Sequence, residues 1–150
     1  MIDLLSLTLP GIDDSAPDPT RSHFMARAGV VDGDSVVAST KHILPGLIRS
    51  TGSQIRGAAG RLQQHLEDEA IPLSLVTGAD NHHVILNFLA ESYCGRLLSL
   101  RDTRYVTVAP PHHTASPRLG DLFFSNLKAG YRTILTHSVR LNWIKLHYDL

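Results

Sequence analysis

The dipeptide Asp32-Gly33 constrains this chain more than any other feature. It separates two strand-like runs, 24–31 and 35–39. Glycine tolerates the positive φ that tight hairpin turns require, so Asp-Gly between such runs predicts a hairpin. A hairpin commits its two strands to an antiparallel sheet. Four later runs, 73–76, 84–89, 96–100 and 105–108, then read as a meander added to it.

Two helices complete the expected fold. Residues 41–70 read mainly as helix, with Pro45-Gly46 interrupting the start and Ser53 as N-cap. Ile55, Ala58, Ala59, Leu62 and Leu66 recur there at helical spacing. The second helix spans 117–129, with Ser116 as N-cap, Pro117 at the first position and Gly130 as the left-handed terminator. Leu119, Leu122, Phe123 and Leu127 form its apolar face. Residues 131–149 fit a bulged strand or a helix; the β-favouring run 131–136 tips the reading to strand. The expected fold class is α+β: a single domain over 23–150, its antiparallel sheet packed by helices near 41–69 and 117–129. Residues 1–22, with Pro10, Pro17 and Pro19 among acids, read as a mobile acidic arm.

At 150 residues the chain has the size of one domain and can bury a core without disulfides or metal. Its net charge of zero argues against generic polyanion binding by the whole surface. The lone Cys94 cannot form an internal disulfide, which points to a reducing compartment. Asp3 stands where a signal peptide needs basic residues, and no apolar run approaches the ~20 residues of a membrane span. The chain is therefore expected in the cytoplasm. The run Gly52 to Gly60 lacks the phosphate-loop and dinucleotide patterns.

Nine histidines raise the question of a metal or acid–base site. The candidates are the pairs His82-His83 and His112-His113. Adjacent residues on a strand point to opposite faces, so each pair supplies one ligand at most to a given site. A third ligand is then needed, and Asp80, Asp102 or His137 are available. Imidazole with carboxylate suits zinc. No HExxH, CxxC or HxH spacing is present, and the plainer reading makes these histidines polar loop residues. Cys94, with a histidine and Asp80 or Asn87, resembles no thiol signature and reads as a small buried hydrophobe.

Charge is segregated along the chain. Residues 1–20 carry four Asp and no basic residue, net −4. Residues 118–148 carry Arg118, Lys128, Arg132, Arg140 and Lys145 against Asp121, net +4 with histidine neutral. Either the acidic arm lies over the basic end, within a chain or between subunits, or the basic end meets an acidic partner, RNA or anionic lipid. Trp143 among these charges suits an interaction surface of Arg118, Lys128, Arg132, Arg140, Trp143 and Lys145.

The order strand, Asp-Gly turn, strand, long helix and meander over residues 24–100 resembles the Roadblock/LC7 family. It is carried by Ala28 through Ser39 and by residues 73–100. The resemblance implies a non-enzymatic dimerising module. The expected function is thus a non-catalytic, self-associating adaptor that forms a homo-oligomer and docks a protein partner, with no cofactor. Two alternatives stand beside it. One is a small metal- or His-dependent hydrolase built on the two histidine pairs; the other is peripheral RNA or anionic-membrane binding through the basic end.

Overall fold

The computed structural model describes residues 1–11, 16–43, 51–82 and 98–146. Five strands form one sheet: β1 (Ile2–Ser6), β2 (Val36–Ile43), β3 (Ser74–His82), β4 (Tyr105–Ala109) and β5 (Arg132–Leu135). They are hydrogen-bonded in chain order and every pairing is parallel. The sheet curls into a half-barrel. The expected antiparallel sheet is therefore wrong, and with it the α+β class.

The error begins at residues 24–31, which form helix α1 (Pro19–Val31) rather than a strand. The Asp18 side chain accepts a hydrogen bond from Arg21 N at 2.9 Å, and Pro19 opens the first turn. Ala26 is buried while Phe24, Met25 and Val31 are exposed, so the apolar residues do not mark one helical face. Gly33 does adopt positive φ, +91°. It turns a helix into a strand instead of a strand into a strand, because Asp32 caps α1. Parallel neighbours need a crossover of this kind, and α1 supplies the one between β1 and β2. The Roadblock/LC7 resemblance fails on the same residues, since its first strand is a helix here.

Helix α2 (Gly52–Asp68) crosses from β2 to β3 and α3 (Leu119–Lys128) from β4 to β5. The cap of α2 is Thr51, not Ser53: Thr51 Oγ1 accepts from Gln54 N, and Gln54 Oε1 accepts from Thr51 N at 2.8 Å. Ile55, Ala58, Ala59, Leu62 and Leu66 are all buried against the sheet side of the core. Gly130 ends α3 at φ +87°, with Gly130 N bonded to Leu127 O and Tyr131 N to Asn126 O. Beyond β5 the chain forms two short 3-10 turns, Ser138–Arg140 and Ile144–Leu146, so neither the bulged strand nor the long helix extends there. Residues 2–6 of the expected arm pair with β2 as β1. The run 84–89 and Cys94 lie outside the described residues.

β2 runs on to Ile43, through residues that the helical reading had claimed. This continuation carries Lys41 and His42 to the end of the sheet. On β3, Gly78 lets Leu100 close over the sheet: a Cβ at 78 would stand 2.6 Å from Leu100 Cδ2 and 3.0 Å from Thr40 Cγ2. No helix among the described residues is long and apolar enough to cross a membrane.

Candidate metal centre

In an all-parallel sheet every strand ends on the same rim, and that rim is where such folds collect their chemistry. Here it collects histidines. His42 stands one residue before the end of β2, and Asp80 and His82 close β3, with His42 and Asp80 in register. The exit of β5 brings Thr136 and His137, and that of β4 leads to Pro110 through His113.

Asp80 is the centre of the cluster. Its side chain is fully buried, yet His42 Nδ1 lies 3.3 Å and His137 Nε2 3.1 Å from its Oδ2. Thr136 Oγ1 donates to the other oxygen at 2.7 Å. His82 Nε2 and His42 Nδ1 stand 3.1 Å apart, within hydrogen-bonding distance. His137 is held in left-handed backbone, φ +52°, a conformation costly for a side chain of this kind. That conformation accompanies the placement of its ring on Asp80.

A carboxylate removed from water needs compensating charge or hydrogen bonds. Two imidazoles, of His42 and His137, and the Thr136 hydroxyl provide them. Ligand atoms of His42, Asp80 and His82 all lie within 4.8 Å of one another. A tetrahedral ion with bonds of ~2.1 Å separates its ligand atoms by roughly 3.4 Å. The observed 3.1 and 3.3 Å separations match that spacing, so these residues fit a divalent cation. Among the described residues the trio offers three ligands, which would leave a tetrahedral ion one open position, as in catalytic sites. His137 sits outside the trio, bonded to the shared carboxylate.

The same contacts tune protonation. Burial opposes the charge on Asp80, but hydrogen bonds from His42 and Thr136 and the nearby His137 and His42 together hold its carboxyl below 3.8. Burial pushes His82 below 6.5; His42, His137 and His112 add to that, and Asp80 only partly offsets it. Both folded values are depressed, so both groups contribute stability at higher pH and lose it on acidification. For His82 the loss starts as pH falls through 6.5, and for Asp80 below 3.8. The thermal midpoint of the metal-free protein should be level above pH 7 and decline progressively below about 6.5. In His82→Gln the decline should shrink across that upper window. Melting curves followed by circular dichroism from pH 8 to 5 check this, and an unaltered slope in the variant would refute it.

Of the four histidines singled out in the sequence, His82 stands in the centre. His112 borders it, with its ring 5.8 Å from that of His137. His113 turns to Asn142, at 3.3 Å, and His83 lies outside the described residues. Of the three possible third ligands, Asp80 and His137 converge, while Asp102 pairs with Arg56 at 2.7 Å. His42 was missed.

Of the six interaction candidates, five are exposed and one, Trp143, is buried. Arg118 pairs with Asp121, and Lys128, Arg132 and Lys145 are exposed. Arg140 is exposed near enough to His112 to oppose its protonation. Trp143 is buried, and its Nε1 donates to Pro111 O at 2.8 Å.

Comparison with known proteins gives the family of the chain. The tyrosine-protein phosphatase YwqE of Bacillus subtilis (strain 168) is 32% identical over 141 residues, which cover 93% of this chain and 55% of that protein. A solved structure from work on YwqE and on CpsB of Streptococcus pneumoniae, described as unique metal-dependent tyrosine phosphatases, superposes with a TM-score of 0.92 at 30% identity. It covers 97% of this chain and 59% of the solved one, so the chain spans little more than half the length of these relatives. These relatives are enzymes, which overturns the adaptor reading and the scaffold role that went with it. A profile of the family described as capsular polysaccharide synthesis, CpsB/CapC, matches residues 1–149, and the chain belongs to that family.

Proposed function

We propose that this chain is a metal-dependent phosphatase that hydrolyses phosphate monoesters, with phosphotyrosine as its substrate class. The fully buried Asp80, ringed by His42, His82 and His137 on the carboxyl rim of a parallel sheet, carries the reading. The small metal- or His-dependent hydrolase that stands as an alternative in the sequence is a coarser form of this reading.

When bound, a divalent cation on His42, Asp80 and His82 supplies Lewis acidity toward a phosphoryl oxygen and makes water a stronger acid. The chain does the rest. Thr136 locks one Asp80 oxygen and leaves the other to the histidines. Burial keeps His82 neutral, so its nitrogen lone pair remains available as a ligand. Arg140 places a fixed positive charge beside His112, where it can meet the charge of a phosphate group. Both relatives carry the word phosphatase in their descriptions, which supports the substrate class.

The test is calorimetric titration with Mn²⁺ and Zn²⁺, followed by turnover of p-nitrophenyl phosphate and of a phosphotyrosine peptide. Binding of a divalent cation with cation-dependent release of phosphate is the expected result. Absence of cation binding in the folded chain would sink the proposal.

A further inference from the structure

β3 carries Asp80 and His82 of the cation-binding trio, with Asn81 between them. Side chains alternate along a strand, so Asn81 points to the opposite face of the sheet. It is fully buried there. Its Nδ2 lies 3.0 Å from Thr107 O on β4, 3.4 Å from Leu98 O and 3.3 Å from Ala79 O. An amide turned the other way would set its oxygen against three carbonyl oxygens, so its orientation is fixed. Its Oδ1 is buried without a hydrogen-bond partner among the described residues. Burying an acceptor in this way costs stability, and a buried polar atom left so asks for a reason. What the amide secures at that cost is a hold on three carbonyls at one point of the sheet.

That point is where the sheet has the least ladder. The β2–β3 ladder runs from Val36 beside Ser74 to Ile43 beside Asn81. Among the described residues the β3–β4 ladder runs only from Asp80 beside Thr107 to His82 beside Ala109. Side chains reinforce this short seam. Asn81 donates across it to Thr107 O, and Thr107 Oγ1 donates back to Ala79 O. The two bonds bracket Asp80: one leaves from the residue after it, and the other arrives at the residue before it. Thr136 ties the Asp80 carboxylate to β5, where it also bonds Val108 O. The side chain of Asp80 is thus held from β5, and its backbone is held to β4 by Asn81 and Thr107.

We propose that Asn81 and Thr107 are positioning residues of the centre: they fix the end of β3 on β4 and so set Asp80 and His82 against His42. The proposal rests on the cation reading above, and it gives the orphaned Oδ1 a reason. Both residues act through Asp80 and His82 rather than on the cation. The ligand atoms of the trio stand 3.1 and 3.3 Å apart across two strands, so their spacing depends on where the end of β3 lies. A shift of more than about 0.5 Å takes such a constellation out of productive geometry. The fold tolerates a shift of that size; the cation does not.

Asn81→Leu keeps the size and removes the amide, and Thr107→Val keeps the shape and removes the hydroxyl. Calorimetric titration of the full 150-residue chain with Mn²⁺, beside the visible absorption of its Co²⁺ complex, tests the proposal. Each variant is expected to bind Mn²⁺ about 10–100-fold more weakly than the unaltered chain, the range for losing a group that orients a ligand. The Co²⁺ bands follow ligand geometry and should change in position or intensity. Residues that only support the fold would lower the urea midpoint and leave both readouts as they are in the unaltered chain. Circular dichroism identifies the variants that fold, Thr107→Val being the milder change. Unchanged affinity and an unchanged Co²⁺ spectrum in either folded variant overturn the proposal and leave the cation reading standing. An unaltered chain that binds neither cation overturns both.

Discussion

Replacing Asp80 with Asn should abolish tight divalent-cation binding. The substitution keeps the shape and an acceptor for Thr136, but removes the one negative charge among His42, His82 and His137. Losing a group that merely orients a ligand costs about 10–100-fold in affinity, so losing the shared carboxylate itself should cost more than 100-fold. Cation-dependent phosphatase activity should fall with it. The fold should survive, because Thr136 Oγ1 also donates to Val108 O at 3.2 Å. Calorimetric titration beside a circular dichroism spectrum separates the two effects. Near-native affinity in a folded Asp80→Asn would show that the cation, if bound, sits elsewhere. His137→Gln is the useful companion: it keeps a hydrogen-bond donor outside the ligand trio and should weaken binding only within that 10–100-fold range.

The centre was half legible in the sequence. His82, Asp80 and His137 stand at positions that the histidine argument reached, but His42 does not. It was hidden because residues 41–70 were read as helix, although β2 continues to Ile43. The signal was the uninterrupted run from Val36 to Ala38: strands covered on both faces lack the alternation of a half-exposed one. Read as a central parallel strand, that run carries the residues that follow it to the rim.

The larger error came from Asp32-Gly33. The dipeptide reports a positive φ, which Gly33 has, and not the element that enters the turn. Only Phe24, Val30 and Val31 of residues 24–31 are β-favouring types, while Met25, Ala26, Arg27 and Ala28 favour helix, and Asp18 and Pro19 form a helix start some distance upstream, in the stretch read as an arm. Once the first connection was a hairpin, every later strand inherited the wrong direction. Gly130 illustrates the opposite case. Its left-handed conformation was foreseen from a helix already marked by Leu119, Leu122 and Phe123, so local chemistry and element type agreed.

Trp143 was placed on an interaction surface because it lies among basic residues in the sequence. The structure instead buries it, at 7% exposure, in the cluster that includes Leu141 and Leu119. Its indole donates to Pro111 O, and Asn142 N donates to His112 O at 3.2 Å. The segment after β5 thus clasps the loop that carries His112. Trp143→Ala should destabilise the fold by about 3–5 kcal/mol, the range for truncating a buried tryptophan. Trp143→Phe retains most of the packing and leaves Pro111 O without this donor, so its hydrogen-bond loss should be nearer 1 kcal/mol. Urea denaturation must be followed by far-ultraviolet circular dichroism, since the substitution removes the only tryptophan. Cation affinity should barely change in either variant, because His42, Asp80 and His82 belong to β2 and β3 and not to the clasped loop. Turnover should fall in Trp143→Ala, which frees His112 on the rim. Equal loss of affinity and turnover would instead mean that the clasp supports the whole centre.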